Sequence, residues 1–260
     1  MRGPRGLLAL VMAAVVSAAV VVAAPRVVGE ATTDSASLPA LPAPAFSIPP
    51  PRVLVESRPA ALWTVVVRNV AARTAPSSGA PQRTFLRTVT PEGTANVVLV
   101  LAKRNDSSGA LWIRIAMPGL PGRGSGWVPR HALGAYHLVH TRLVVDVERQ
   151  TARLFRDGML VFEAPVGVGA PAFPTPRGEF YVRSKLDRLS SPFYGPLAFG
   201  TSALSVAATD WPGGGVVGIH GTDRPELLPG RVSHGCIRLR NEDITRLARL
   251  LQVGTPLTIR

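Results

Sequence analysis

Residues 233–243 read "SHGCIRLRNED" and contain Cys236, the one cysteine of this 260-residue chain. A thiol becomes a good nucleophile at neutral pH only when a neighbouring group takes its proton and leaves a thiolate beside an imidazolium, and a histidine can do this. Two histidines are candidates for this base: His234, just before the cysteine, and His220, at the end of the apolar run "VVGIHG". A lone cysteine is also commonly a buried, inert thiol. The residue types alone leave both roles open.

Gly235 lies directly before Cys236 and removes a side chain where a substrate carbonyl would have to approach the backbone closely. We expect the successive amides of Gly235 and Cys236 to point at a developing oxyanion. A cysteine, a histidine base and such a turn together favour acyl transfer over an inert thiol.

Apolar residues alternate along several short segments that follow position 140. The pattern predicts three strands, over 143–147, 152–154 and 159–166. Asp157 and Gly158 form a favourable hairpin turn between the last two, because both residue types tolerate a positive φ. "TPRGEFYVRSKL" predicts a further strand, and the run 216–219 predicts a short buried one.

The tail "NEDITRLARLLQVGTPLTIR" holds the one clear helical pattern of the chain. Asn241 is expected to cap this helix and Gly254 to end it, and a last strand follows. The fold class predicted from these patterns is mainly β with one late helix.

The first 58 residues have the composition of targeting and linking segments. Arg2 and Arg5 precede an uncharged apolar run over 7–24, so residues 1–24 are predicted to be a signal peptide or a membrane anchor. Residues 25–58 are rich in proline, alanine and serine and are predicted to be a linker. We therefore expect an exported protein of the cell envelope, with retention at the membrane left open.

The chain is strongly basic, with 29 Lys and Arg residues against 16 Asp and Glu residues and a formal charge of +13. Lys103 and Lys185 are its only lysines. The charge suits an anionic wall polymer or a membrane surface as a partner. The arginines are scattered and no nucleic-acid motif accompanies them, so nucleic acid is not an expected partner.

The segment 59–136 resembles the bacterial SH3-like domain. Asn69, Arg73 and Pro76 follow that family's early "N-x-R-x-x-P" stretch with one residue of slippage. A "WIRI" strand begins at Trp112, and "GWV" around Trp127 closes the segment. The resemblance implies a small β-barrel that binds wall peptides or positions a partner domain. The two tryptophans are more simply explained as its core.

The pairing of "IHGT" at 219–222 with "SHGCIRLRNED" resembles the signature of the L,D-transpeptidase catalytic domain of the YkuD type. That signature is a histidine, a variable loop and then Ser or Thr followed by "HGC". The resemblance covers 138–260, and "VGVG" and "TPRGEF" fit the early strands of the family. The two resemblances together imply a small SH3-like barrel followed by a YkuD-type β-sandwich catalytic domain with one late α-helix.

The resemblance also implies roles for individual residues. Cys236 would be the nucleophile and His220 the general base and acid. The backbone carbonyl of Gly221 would hold the other imidazole nitrogen, so no catalytic carboxylate is required and Asp223 has no assigned role. His234 then belongs to the pocket rather than to proton transfer.

Four further positions receive supporting roles from the same resemblance and from side-chain chemistry. Ser233 and Gly235 would shape the pocket and the oxyanion site together with His234. Arg238 is a candidate contact for a substrate carboxylate, because a guanidinium suits bidentate binding. Tyr194 lies in a segment, 187–214, that we expect to border the cleft, and it is a candidate substrate contact; packing is the simpler role for it and for Trp211.

The substrate implied by the resemblance is a peptidoglycan stem peptide, and the implied roles are peptidoglycan biosynthesis, cell-wall organisation and cell shape. Cys236 would form a thioester with the third stem residue, expel the terminal D-alanine and pass the acyl group to a neighbouring stem, which gives a 3→3 cross-link. No metal and no organic cofactor is expected.

Three alternatives stay open at this point. The same fold and nucleophile with water as acceptor would be an L,D-carboxypeptidase or a cross-link hydrolase. His220, His234 and Cys236 are residue types that bind zinc, although a fourth ligand is not evident. A non-catalytic cell-wall-binding protein built from both segments is the third.

Overall fold

A computed structural model of the chain describes residues 60–119, 124–187, 189, 191–207, 211 and 214–260. All of these residues belong to one compact unit that spans 53–260. The predicted signal peptide or anchor at 1–24 and the predicted linker at 25–58 lie outside the described residues. No helix within the described ranges is long and apolar enough to cross a membrane.

The N-terminal part of the described chain is a seven-stranded sheet in which neighbouring strands are antiparallel. Its strands are β1 (Ala61–Val65), β2 (Val70–Arg73), β3 (Gln82–Leu86), β4 (Val97–Asn105), β5 (Leu111–Ala116), β6 (Ser125–Pro129) and β7 (His137–Val139). Their order across the sheet is β3-β2-β6-β5-β4-β1-β7.

Buried side chains of this first sheet form their own hydrophobic cluster, which includes Val98, Ile113 and Val128. Trp112 is buried, and its Nε1 donates a hydrogen bond to Asp106 Oδ2 at 2.9 Å. Trp127 is half-buried in β6. The expected core position thus fits Trp112 but not Trp127, and the assignment to the SH3-like family stays a prediction.

The remaining strands form a second sheet of ten strands. They are β8 (Thr141–Asp146), β9 (Thr151–Arg156), β10 (Met159–Pro165), β11 (Gly167–Gly169), β12 (Gly178–Asp187), β13 (Leu197–Leu204), β14 (Val216–His220), β15 (Gly230–Ser233), β16 (Ile237–Arg238) and β17 (Pro256–Ile259). Their order is β10-β9-β8-β17-β12-β13-β14-β16-β11-β15.

Local sequence patterns account well for this sheet. The predicted strands at 143–147, 152–154, 159–166 and 216–219 are confirmed as β8, β9, β10 and β14. Asp157 and Gly158 have φ values of 51° and 82°, so the predicted hairpin turn is confirmed as well. Such a turn matches the twist of the two strands that it joins.

Strands from both ends of the ten-stranded order contribute to one hydrophobic core. Leu154 of β9 and Ile237 of β16 both belong to this cluster, with Val182 of β12 and Phe199 of β13 from the middle of the sheet. The core of the second sheet therefore extends from one end of its strand order to the other. The mainly β fold class with one late helix is confirmed.

The one α-helix among the described residues, α1 (Asn241–Leu247), is shorter than predicted and begins differently. Asn241 is its first residue rather than its cap, because Asn241 Oδ1 accepts the Thr222 N–H at 2.9 Å. The helix ends well before Gly254, but Leu251 remains buried in the core after it. Gly254 has a φ of 87° in the turn that leads into β17.

Hydrogen bonds join the first sheet to the second. The Tyr181 hydroxyl of β12 donates to the carbonyl oxygens of Val97 and Ala116, at 3.2 and 3.4 Å. Burial raises the pKa of Tyr181 to about 12, so this hydroxyl keeps its proton. Arg183 lies on β12 as well, and its Nη2 donates to Oδ1 of Asn96, just before β4 of the first sheet, at 3.1 Å. Two neighbouring carbonyl groups of the first sheet therefore depend on one tyrosine of the second.

We expect Tyr181→Phe to lower the free energy of unfolding by about 1–2 kcal/mol, because it removes the hydroxyl hydrogen that the buried Val97 carbonyl and the partly buried Ala116 carbonyl share. Urea denaturation would measure the change. Tyr136→Phe, at an exposed tyrosine, is the matched control and should change stability by less than about 0.5 kcal/mol. Equal losses for the two variants would contradict the role assigned to Tyr181.

Candidate active site

The parallel pairing of β14 with β16 brings Cys236 next to the end of β14. Ile219 lies opposite Ile237, and His220 lies opposite Arg238. Cys236 directly precedes β16 and is therefore level with Gly218. Side chains two positions apart on a strand share a face. The sulfur of Cys236 and the imidazole of His220 consequently share one side of the sheet, and the Trp211 ring occupies the place that a side chain at Gly218 would take.

Gly218 donates its backbone N–H to Cys236 Sγ at 3.3 Å. The register between β13 and β14 is irregular between Gly200 and Leu204, next to this donor. A hydrogen bond from an amide favours the charged form of a sulfur acceptor. Sequence reasoning missed Gly218, although its position two residues before His220 in a buried strand is a usable signal.

The His220 ring is fixed by one backbone contact. Its Nδ1 lies 2.6 Å from the carbonyl oxygen of Gly221, which is the contact that the family resemblance implies. A carbonyl oxygen only accepts, so Nδ1 carries the hydrogen and the neutral ring has its lone pair on Nε2. Nε2 is buried and has no hydrogen-bond partner among the residues that the structure describes. No described carboxylate contacts the ring, and Asp223 is exposed.

The pKa of His220 is lowered to about 3: burial is the main cause, the hydrogen bond to the Gly221 carbonyl opposes it, and the positive charge of Arg238 adds to the lowering. The imidazole is therefore neutral at pH 7. A fully buried imidazolium would lose its hydration, which is why burial favours the neutral form.

Aromatic rings cover the His220 side of the site. The Phe193 ring lies 5.6 Å from the imidazole between centroids, and the Tyr194 ring lies 4.9 Å from it in an edge-on arrangement. Tyr194 is buried and also meets Trp211 edge-on at 5.9 Å. Tyr194, predicted as a substrate contact, thus packs on the predicted base; a contact with substrate stays a prediction.

Arg238 is buried beside His220 on β16, and its Cζ lies 4.4 Å from the centre of the Phe193 ring. Such stacking holds a guanidinium in one orientation. This placement does not test the predicted contact with a substrate carboxylate, which stays a prediction.

Residues 233–236 form a tight turn that presents the cysteine. Ser233 Oγ donates to the Cys236 carbonyl at 2.6 Å and accepts the Gly235 N–H at 3.1 Å. Gly235 has a φ of 115°, which a residue with a side chain rarely adopts. Because its N–H is bonded to Ser233, Gly235 does not offer this amide to an oxyanion, contrary to the expectation from sequence.

Thr175, which sequence reasoning missed, supports this turn from the loop after β11. Its Oγ1 donates to the Gly235 carbonyl at 3.0 Å and accepts the Gly169 N–H at 2.8 Å. His234 is exposed, and its ring lies 4.8 Å from that of Phe173 in a tilted arrangement. His234 therefore lies at the outer edge of the turn, and the pocket role assigned to it stays a prediction.

The predicted border of the cleft, 187–214, is described only in part. Residues 188, 190, 208–210 and 212–213 of it lie outside the described residues. In the described ranges no group of three or more His, Cys, Asp or Glu side chains could hold a metal ion. His220, His234 and Cys236 thus do not form the zinc site considered as an alternative.

Asn241 holds the backbone behind His220. A Cβ atom added at Gly195 or Gly221 would overlap its Oδ1, so both glycines allow the amide to lie against the Gly221 loop. A cavity of about 830 Å³ opens beyond this contact, lined by Asp223 and Asn241 among others, and neither Cys236 nor His220 lines it. The candidate active site is therefore assigned to the surroundings of Cys236 and His220 and not to this cavity.

Comparison with known proteins identifies the family of this chain. The YkuD family, described as an L,D-transpeptidase catalytic domain, matches residues 140–259. The Bacillus subtilis protein YkuD, named as an L,D-transpeptidase, is 32% identical over 145 residues, which are 56% of this chain and 73% of that protein. The chain belongs to the L,D-transpeptidase family.

Other L,D-transpeptidases match over smaller shares. The Bacillus licheniformis YkuD protein is 34% identical over 118 residues, and the match spans 45% of this chain and 64% of that relative. The solved catalytic domain of the Enterococcus faecium L,D-transpeptidase is 28% identical, with 46% of this chain and 96% of that one covered and a TM-score of 0.35. An L,D-transpeptidase structure from Mycobacterium tuberculosis is 18% identical, with 64% and 90% covered and a TM-score of 0.40.

The neutral His220 of this L,D-transpeptidase family member predicts a pH-dependent stability. Between its ordinary pKa of 6.5 and the value of about 3 in the fold, the unfolded chain binds a proton that the folded chain does not. The free energy of unfolding therefore falls as pH falls through this window, by up to about 1.4 kcal/mol per pH unit for this group.

His220→Asn keeps a donor for the Gly221 carbonyl and removes the titrating group, so its stability should fall less steeply with pH. Urea denaturation of both proteins between pH 7 and 4 measures how the free energy of unfolding depends on pH. The other histidines contribute equally to both proteins, so their effects cancel in the difference between the two curves. Parallel pH curves would show that burial does not suppress protonation of His220.

Proposed function

We propose that this protein is an exported L,D-transpeptidase that cross-links peptidoglycan stem peptides with Cys236 as its nucleophile. The observation that carries the proposal is the placement of Cys236 Sγ at 3.3 Å from the Gly218 N–H, on the strand face that also holds His220. Family membership and the contact between His220 Nδ1 and Gly221 support it.

In the first half-reaction His220 Nε2 takes the thiol proton as Sγ attacks the carbonyl carbon of the third stem residue, at its L centre. The proton moves during the attack because the imidazole is neutral beforehand. The tetrahedral intermediate then collapses, the bond from carbonyl carbon to nitrogen breaks, and His220 gives the proton to the leaving amine. D-Alanine departs and a Cys236 thioester remains.

In the second half-reaction a side-chain amine of a neighbouring stem attacks the thioester carbonyl. His220 Nε2 takes a proton from this amine, an amide bond forms, the carbon–sulfur bond breaks, and the thiol recovers its proton from His220. The product is a 3→3 cross-link. Arg238 is proposed to orient a substrate carboxylate, and Ser233, His234 and Gly235 to shape the pocket.

Export is part of the proposal, because stem peptides lie outside the membrane. The basic pair Arg2 and Arg5 and the apolar run at 7–24 support it. The charge of +13 supports an additional association with an anionic wall polymer or a membrane surface.

We expect a carbapenem to acylate the wild-type protein at one site, seen as a single mass increase of the intact chain. Cys236→Ala should lose the adduct entirely. His220→Asn should slow its formation by about 100-fold or more, the usual size of a general-base contribution. Asp223→Asn, at the exposed loop carboxylate, is the control and should react like the wild type; an adduct that persists in Cys236→Ala would overturn the role of the cysteine.

Incubation with disaccharide tetrapeptides should give dimers that have lost one D-alanine, joined between the third residues of both stems, by mass spectrometry. Cys236→Ala should give none. Tripeptides without dimers would instead identify an L,D-carboxypeptidase, in which water accepts the acyl group. A protein that neither reacts with carbapenem nor changes the stems would be the non-catalytic wall-binding alternative.

A further inference from the structure

One side chain of the first sheet reaches the aromatic cover of the candidate active site. Trp211 Nε1 donates a hydrogen bond to Glu92 Oε1 at 3.0 Å, across a long separation in sequence. Trp211 is only 2% exposed. Glu92 belongs to the turn 90–94 between β3 and β4, so this bond links the turn of the first sheet to the second sheet.

The turn that carries Glu92 is held by its own hydrogen bonds. Thr90 N donates to the Thr94 carbonyl at 2.8 Å, and Gly93 N donates to the Thr90 carbonyl at 3.0 Å. The two threonine hydroxyls lie 2.9 Å apart and share a further hydrogen bond. Glu92 therefore accepts the hydrogen bond of Trp211 from a turn whose backbone is held by its own hydrogen bonds.

Trp211 in turn contacts the groups that surround the sulfur. Its six-membered ring lies so close over Gly218 that a Cβ atom there would come within 2.1 Å of it. Gly218 is the residue whose N–H donates to Cys236 Sγ. Trp211 also meets Tyr194, which packs edge-on against His220. One indole thus borders both the donor to the nucleophile and the ring that packs on the base.

The carboxylate of Glu92 is unusual because it has few other hydrogen bonds. Its Oε2 is buried and has no hydrogen-bond partner among the described residues. Asp106 makes the corresponding bond to Trp112, but its other oxygen, Oδ1, accepts three further hydrogen bonds, two from Ser108 and one from Ala110. A buried carboxylate oxygen without a donor reduces stability. Stability alone therefore explains Asp106 but not Glu92.

We propose that Glu92 is a positioning residue for the reaction at Cys236: it fixes the Trp211 indole, and through it the backbone of Gly218 and the ring of Tyr194. The first sheet then completes the active site of the second. This inference rests on Cys236 as the nucleophile of the proposed function, but it does not depend on the acceptor or on the identity of the stem peptide.

The test compares rate constants for acylation of Cys236 by a carbapenem, followed by intact-protein mass, in full-length variants. Glu92→Ala and Trp211→Phe should each lower the maximal rate constant about tenfold, within the usual range for coupling through a neighbouring side chain. The double variant should be no slower than the slower single one, because both remove the same bond. Glu92→Gln, which keeps an acceptor oxygen, should stay within about threefold of the wild type.

Asp106→Ala is the matched control, since it removes the other bond between a carboxylate and an indole of the first sheet. It should lower the melting temperature and leave the rate constant unchanged. A variant that is only partly folded shows a smaller acylated fraction when the reaction is complete. A folded variant in which Trp211 is mispositioned reaches the same final fraction as the wild type, but with a smaller rate constant. If Glu92→Ala does not fold, Glu92→Leu carries the same comparison, because it removes the acceptor and keeps a side chain of similar volume.

A wild-type rate in Glu92→Ala, a loss no larger than that of Asp106→Ala, or multiplying losses in the double variant would each overturn the role of Glu92. A wild-type protein that the carbapenem does not acylate would instead count against the proposed function. The same variants would then be compared by alkylation of Cys236 with iodoacetamide, in which a slower reaction of Glu92→Ala and Trp211→Phe supports the inference and equal rates overturn it.

Discussion

The site depends on one backbone constraint, the parallel pairing of β14 with β16. Two segments separated by an exposed loop meet there with Ile219 opposite Ile237. A shift of one residue in that register would turn the cysteine to the opposite face of the sheet and away from His220. The side chains of the site add to this arrangement but do not create it. The flanking pairs of β13 with β14 and of β11 with β16 hold the register from both sides.

Features that depend on neighbouring residues were predictable from sequence. The Asp157-Gly158 turn and the alternation in β8 and β9 follow from local chemistry, and the structure has both. Cys236 and His220 were identified as a pair from residue type and family resemblance, and the strand pairing explains how the chain brings them to one face. Local pattern thus accounts for most of the second sheet, whereas the choice of His220 rather than His234 as the partner of Cys236 needed the family resemblance.

Features that depend on distant partners were not predictable. Asn241 has the residue type of a helix cap, but a loop amide from Thr222 occupies its oxygen. The Gly235 amide has the right place for an oxyanion, but Ser233 accepts its hydrogen. Complete burial keeps His220 neutral, and burial is a property of the assembled core. The contact of Glu92 with Trp211 joins segments that no periodicity connects.

The burial of Cys236 has a consequence for the durability of the protein. Oxidation of a cysteine to a sulfenic acid depends on how far oxidants in the solvent can reach the sulfur. Cys236 is 8% exposed, and the sequence contains no second cysteine with which it could form a disulfide. The packing that shapes the candidate site therefore also slows the chemical ageing of its sulfur.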